Sequence, residues 1–168
     1  MKHNPSKTMK LDDIDLKILE ILQKDGRITN TKLASQIGIS PPAMLDRVKR
    51  LESSGVISKF VALVDRKKVG VGILAFVSVS LAVHQFSSMD KFVSSIMELD
   101  EVLECYQISG ANDFILKVAL DDLDNYADFI VNRITGIEGI QNINSSFVLK
   151  TIKHNTSLPI AFKAGEEE

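Results

Sequence analysis

Apolar residues recur at helical spacing through the first third of the chain and at strand spacing through much of the remainder. Leu11, Ile14, Ile18, Ile21 and Leu22 share one face, which predicts a helix over 11–24, with Asp12 and Asp13 favouring its start. Gly26 ends it. Thr29 is placed to cap a second helix whose inner face carries Leu33, Ala34 and Ile37, and Gly38 stands where the chain must turn with positive φ. Ser40 caps a third helix that begins with Pro41, whose missing N–H costs nothing there. Met44, Val48 and Leu51 follow at i, i+4 and i+7, leaving Ala43, Asp46, Arg47, Lys49 and Arg50 outside. Ala34 and Gly38 let the second and third helices approach closely and cross steeply. That is a helix-turn-helix, whose second helix enters the DNA major groove. The bland alternative is a helical hairpin with a solvated basic face. Gly55 stops the third helix, and VISKFVALVD at 56–65 predicts a short strand pair, or wing.

RKKVGVG at 66–72 reads as a linker, and after it the period changes. Ala75, Val77, Val79, Leu81 and Val83 alternate along a strand over 73–83. A helix over 88–99 turns Phe92, Val93, Ile96 and Leu99 inward. Strands over 102–108 and 114–120 flank the turn SGAND. A second helix over 122–135 buries Leu123, Tyr126, Ile130, Val131 and Ile134, and a long strand over 140–153 closes the pattern. The order βαββαβ is the ferredoxin-like arrangement. The fold class is therefore α+β: a winged helix-turn-helix domain over 11–65 and a ferredoxin-like domain over 73–155. A hinge over 66–72 joins them, and disordered tails lie over 1–10 and 156–168. The uncovered face of the sheet keeps apolar side chains, which predicts association with another subunit.

Charge sharpens this division. Residues 1–72 hold 14 Lys+Arg and 8 Asp+Glu, a net of +6, while residues 73–168 hold 6 and 14, a net of −8. A basic first part beside an acidic second is expected where only the first faces phosphates. Arg47, Lys49 and Arg50 are candidates for phosphate or base-edge contacts, with Thr29, Ser40, Pro42 and Ala43 near the duplex. Asp46 either accepts from cytosine N4 or holds Lys49 or Arg50 by an ion pair, the latter being the commoner arrangement on helices.

Enzymatic chemistry finds little support. His3, His84 and His154 are scattered, and Gly70 and Gly72 lack the other glycines of a phosphate loop. The pairs Asp12–Asp13 and Asp121–Asp122 sit at helix starts, where the dipole explains them. Cys105 is the single cysteine, which excludes an internal disulfide and a cysteine-based zinc site. No apolar run approaches the ~20 residues of a membrane span, and MKHNPSKTMK does not read as a signal peptide. The expectation is a cytoplasmic protein with neither metal nor cofactor.

The segments LDDIDLKILEILQKDGRITN, LASQIGISPPAMLDRVKRLESSGVI, SGANDFILKV and SSFVLKTIKHNTSLP, in this order, resemble the Lrp/AsnC, or feast/famine, family of transcriptional regulators. The resemblance runs from Leu11 to about Ile160. It implies a DNA-binding winged domain, a hinge, and an effector and assembly domain that forms homodimers and, from them, octamers, with an amino acid bound between dimers. The chain departs from the family at Asp46, commonly basic, and near Pro42 and Met44, commonly threonine and cysteine. On residues alone SGAND is simply a hairpin turn; the resemblance makes it an effector loop. Ser109, Gly110, Ala111, Asn112 and Asp113 then form the site, with hydroxyls from Ser145 and Ser146. Asp113 either receives the ligand ammonium or caps the turn. The implied effector is a small apolar amino acid such as leucine or methionine. The competing reading is an amino-acid-binding oligomeric module acting through protein partners.

Overall fold

The computed structural model describes residues 10–82 and 86–160; residues 1–9, Val83, His84 and residues 161–168, which figured in the expectations above, lie outside them. The chain forms two compact units. One runs to Leu63 and takes in the segment from Lys153; the other is Val64–Ile152.

In the first unit, Asp12 rather than Leu11 sets the start of α1 (Asp13–Lys24). Its carboxylate accepts the Asp15 N–H at 2.8 Å, and the Asp15 carboxylate accepts the Asp12 N–H at 3.3 Å. Leu11 precedes this reciprocal cap and packs on the core from outside the helix. Thr29 caps α2 (Asn30–Ile37) by accepting the Lys32 N–H at 3.3 Å. Gly38 follows with φ +85°, the left-handed conformation a side chain would strain. Ser40 caps α3 (Pro41–Ser53) through the Ala43 N–H at 3.4 Å. Ile18, Leu33, Ala34, Met44, Val48 and Leu51 form the buried core.

The strand pair expected over 56–65 does not form. Ile57 packs on the core and donates its N–H to the Leu51 carbonyl, but Val61 and Leu63 are more than 60% exposed. A β-prone sequence needs a ladder partner, and the described residues of this unit offer none. The segment from Lys153 belongs here instead. Leu158 donates its N–H to Gln23 Oε1 at 2.6 Å and accepts from Nε2 at 3.3 Å, and the Ser157 hydroxyl donates to the Gln23 carbonyl at 3.3 Å.

The second unit opens with Arg66–Val69, a 3₁₀ turn rather than a loose linker. Asp65 caps it, Gly70 ends it at φ +87°, and the Arg66 guanidinium closes it on the carbonyls of Val71 and Gly72. Gly72 then donates to the Asp121 carbonyl, which an added Cβ would approach to 2.3 Å. β1 (Ile73–Leu81), α4 (Phe86–Met97), β2 (Val102–Gln107), β3 (Phe114–Leu120), α5 (Leu123–Phe129) and β4 (Ile140–Phe147) follow. The sheet is antiparallel in the order β2-β3-β1-β4, the ferredoxin-like topology. Ala75, Val77, Val79 and Leu81 pack with Phe114, Leu116 and Val118 beneath Phe92, Ile96, Tyr126, Phe129 and Ile134.

Three helix positions expected inside are exposed: Val93, Leu123 and Val131. Leu123 is the first residue of its helix. Val131 turns outward because α5 continues as a π-helical turn, Ile130–Ile134, whose extra residue per turn shifts the face and brings Phe129 and Ile134 inward. β4 is also shorter than expected. It pairs with β1 alone, and its partners run out where Phe147 faces Ala75 and Val148 donates to Leu74. The far side of the sheet, opposite the helices, presents Phe76, Ser78, Tyr106 and Ile115, with Phe76 and Tyr106 exposed.

Candidate nucleic-acid interface and effector loop

The cations of α3 divide into two sets. Arg47, expected to face DNA, instead reaches back to α1: its Nη1 donates to Asp12 at 2.8 and 2.9 Å and to Asp15 at 2.7 Å. Arg50 Nη2 donates to the other Asp15 oxygen at 2.7 Å. Asp15 is fully buried, so its charge has to be met inside the domain, and these two guanidiniums meet it. Arg47 stands three residues after Met44 and four before Leu51, which sets it at the edge of the buried face of the helix and lets it turn inward. The Asp15 N–H and Arg47 hold the Asp12 carboxyl below its usual range, and Asp12 and Asp15 raise Arg47 further.

Pairing of Asp46 with Lys49 or Arg50, the favoured expectation, does not occur. Arg50 is taken by Asp15, and among the described residues Asp46 makes no ion pair or hydrogen bond. The outer face of α3 therefore carries Pro42, Ala43, Leu45, Asp46 and Lys49, all exposed. Leu45, an exposed apolar residue on this face, was not among the expected site residues. Thr29 and Ser40 are exposed at the starts of α2 and α3, their hydroxyls occupied as caps.

In the second unit the loop between β2 and β3 is anchored on the end of β1. Asp113 accepts the Leu81 N–H at 2.8 Å on Oδ2 and donates its own N–H to the Val79 carbonyl. Ser80 donates to Asn112 Oδ1 at 3.1 Å. These bonds make Asp113 the residue that fixes the turn. Gly110, at φ +133°, leaves its backbone unobstructed, with nothing within 4 Å of a Cβ position. An open depression of about 550 Å³ lies beside it, lined by Ser80, Leu81, Gly110, Ala111, Asp113, Gln141 and Asn142.

Ser145 and Ser146 do not reach this depression. Ser145 lies opposite Val77 on the helix side of the sheet, where the Tyr126 hydroxyl donates to it at 2.6 Å. Ser146 lies opposite Phe76 on the other side. Adjacent strand residues point to opposite faces, so the pair cannot serve one site. The polar residues of β4 beside the loop are Gln141 and Asn142, and their signal is the β1–β4 register, in which Asn142 faces Ser80. Ser109 is exposed next to the depression but does not line it. Cys105 is half-buried, and burial raises its thiol above the ordinary value. Among the described residues no group of His, Cys, Asp or Glu could hold a metal ion.

Comparison with known proteins finds two family matches along the chain. Residues 11–58 match the family described as winged helix-turn-helix DNA-binding, and residues 74–158 match the Lrp/AsnC ligand binding domain. The transcriptional regulator AzlB of Bacillus subtilis is 35% identical over 150 residues, covering 89% of this chain and 96% of that protein. The DNA-binding transcriptional activator DecR of Escherichia coli is 34% identical, covering 89% and 99%. Among solved structures, a transcriptional regulator from Neisseria meningitidis in complex with L-Met superposes with a TM-score of 0.85 at 37% identity, covering 89% and 97%. An AsnC family regulator from Agrobacterium tumefaciens gives 0.83 at 36%, with the same coverage.

Proposed function

The chain belongs to the Lrp/AsnC family of transcriptional regulators, and from that premise we propose that it reads duplex DNA with the outer face of α3 and senses an amino acid beside the loop at 109–113. It is a DNA-binding transcriptional regulator, not an enzyme, with a ligand-binding domain behind its helix-turn-helix. What carries the reading of the interface is the split among the α3 cations. With Arg47 and Arg50 bound to Asp12 and Asp15, Lys49 supplies the phosphate contact of this helix, and Pro42, Ala43, Leu45 and Asp46 approach base edges. Gel-shift titration at several salt concentrations tests this. Lys49→Ala weakens binding across sequences and lowers the salt slope by about one unit. An unchanged slope removes Lys49 from the interface.

The effector reading rests on the loop. Backbone N–H groups around Gly110 suit a carboxylate, and the carbonyl and carboxamide oxygens of Ala111, Asn142 and Gln141 suit an ammonium. The relative solved with L-Met supports a small amino acid, leucine or methionine among the candidates. Asp113 acts by holding the turn. The exposed apolar positions of the sheet, Phe76 and Tyr106, support a homodimer that assembles further to an octamer. Among the described residues no helix is long and apolar enough to cross a membrane, and we place the regulator in the cytoplasm with its DNA. Calorimetry against the twenty amino acids identifies the effector. Gly110→Leu, strained at φ +133°, abolishes the heat while DNA affinity persists; wild-type affinity in that variant puts the pocket elsewhere.

A further inference from the structure

Asp46 is a carboxylate on the helix that must approach a polyanion, and the arrangement around it leaves it one useful role. It is the sixth residue of α3, counted from Pro41. Pro42, Lys49 and Ser53 stand at −4, +3 and +7 from it, along the same outer stripe and opposite the buried Met44, Val48 and Leu51, with Leu45 on the flank beside Pro42 and Lys49. A charge there is drawn toward the groove together with the helix. Beside phosphates an unpaired carboxylate is repelled, and in the groove it loses its water. An intramolecular cation would relieve both costs. Arg47 and Arg50, the nearest arginines along the helix, are held by Asp12 and Asp15 at 2.7–2.9 Å, and Asp46 has no ion pair or hydrogen bond among the described residues.

With Lys49 assigned to phosphate, the donors that remain for Asp46 are those of the DNA. In the major groove these are the exocyclic amines, N4 of cytosine and N6 of adenine; guanine and thymine present only acceptors and a methyl group there. We propose that Asp46 is a specificity-determining residue that accepts a hydrogen bond from an exocyclic amine, that of cytosine in the first place, at one position of each half-site. A carboxylate can only accept, so guanine or thymine at that position leaves it facing an acceptor or a methyl group. The clamped arginines add to this: Arg47 Nη1 and Arg50 Nη2 are already engaged by Asp12 and Asp15, so the outer stripe itself carries no guanidinium and favours an amine-bearing base and, through Leu45 and Ala43, thymine methyls.

This rests on the proposal that α3 lies in the groove, and the test separates the two. Full-length wild type, Asp46→Ala and Asp46→Asn are used to select bound duplexes from a random pool, and affinities are then measured for all four bases at each selected position. Asp46 is exposed, and matched melting profiles establish that the variants fold. Wild type discriminates against guanine and thymine by about tenfold or more at one position per half-site, and Asp46→Ala flattens that position alone. A wild-type preference there for cytosine identifies N4 as the donor, and one for adenine identifies N6. Asparagine, which donates as well as accepts, moves the preference toward adenine. A selected motif that is the same in all three proteins overturns the role of Asp46 and leaves the placement of α3 standing. Uniformly tighter binding by Asp46→Ala, with no change at any base, assigns it mere repulsion and overturns the role too. Failure of wild type to select any motif overturns both proposals.

Discussion

The two units of this molecule solve the problem of stability differently. Among the described residues, the sheet unit has a core of thirteen buried residues, from Ala75 to Ile134, all apolar but for the Tyr126 hydroxyl. The described residues of the helix-turn-helix unit include six, and next to them the carboxylate of Asp15 is buried. A small three-helix unit has little apolar surface to remove from water, and here α1 is joined to α3 by charge as well as by packing. An ionic join is directional. It fixes how α1 and α3 rotate relative to each other, and on the proposed reading the rotation of α3 decides which residues meet DNA. The cost is dependence on protonation and on both partners being present, which an apolar core does not share.

Truncating the sheet unit gives the largest expected effect. Phe92 is fully buried, with its ring 4.6 Å from that of Phe114, and Phe92→Ala destabilises that unit by about 4 kcal/mol. Urea unfolding followed by NMR, residue by residue, shows whether the loss stays in Val64–Ile152; equal loss in both units breaks the contrast drawn above. Asp15→Ala comes next. It removes the carboxylate from two guanidiniums that can still turn to water, so we expect about 3 kcal/mol, confined to the first unit. The same variant frees Arg47 and Arg50, and gel shifts should show a changed salt slope. Ser40→Ala costs about 1 kcal/mol through the lost cap of α3.

The smallest effects lie at the extremes of pH, on opposite sides for the two units. The folded-state pKa of Asp12 is depressed, so its contribution is present above its unfolded value of about 4 and is lost as pH falls through the folded value. The first unit thus weakens in acid. Burial raises Tyr126, so stability is fully present below about pH 10, the unfolded tyrosine value, and is lost as pH rises toward the folded value. The sheet unit thus weakens in alkali. Asp12→Asn and Tyr126→Phe, each melted across its own range, should flatten its own unit only.

How far these features could be read from the sequence depends on how local their causes are. The caps Thr29 and Ser40 and the turn at Gly38 are fixed by neighbours three or four residues away, and their positions were legible. So was the alternation along β1. The arginine clamp was not, because its partners are 32 to 35 residues apart and nothing in the spacing of α3 distinguishes a guanidinium bound for DNA from one bound for Asp15. The wing failed for a related reason: β-propensity measures fitness for a ladder and says nothing of whether a partner strand exists. The π turn after Phe129 shifted an otherwise sound helical pattern by one residue. At the proposed effector site, the turn between β2 and β3 was legible from its residues, while the β4 residues beside it required the register between strands far apart in sequence.

The pairing of Gln23 with Leu158 bears on how the protein can be divided. The side-chain amide of Gln23 offers the backbone at Leu158 one acceptor and one donor, as a neighbouring strand would, and so recruits a distant stretch of chain into the first unit. That unit is consequently discontinuous in sequence, its pieces separated by the whole of Val64–Ile152. A protease cut after Leu63 leaves Lys153–Ile160 on the wrong fragment, and a cut before Lys153 detaches it from the sheet unit but also from α1 in every covalent sense. No single cut yields both units whole.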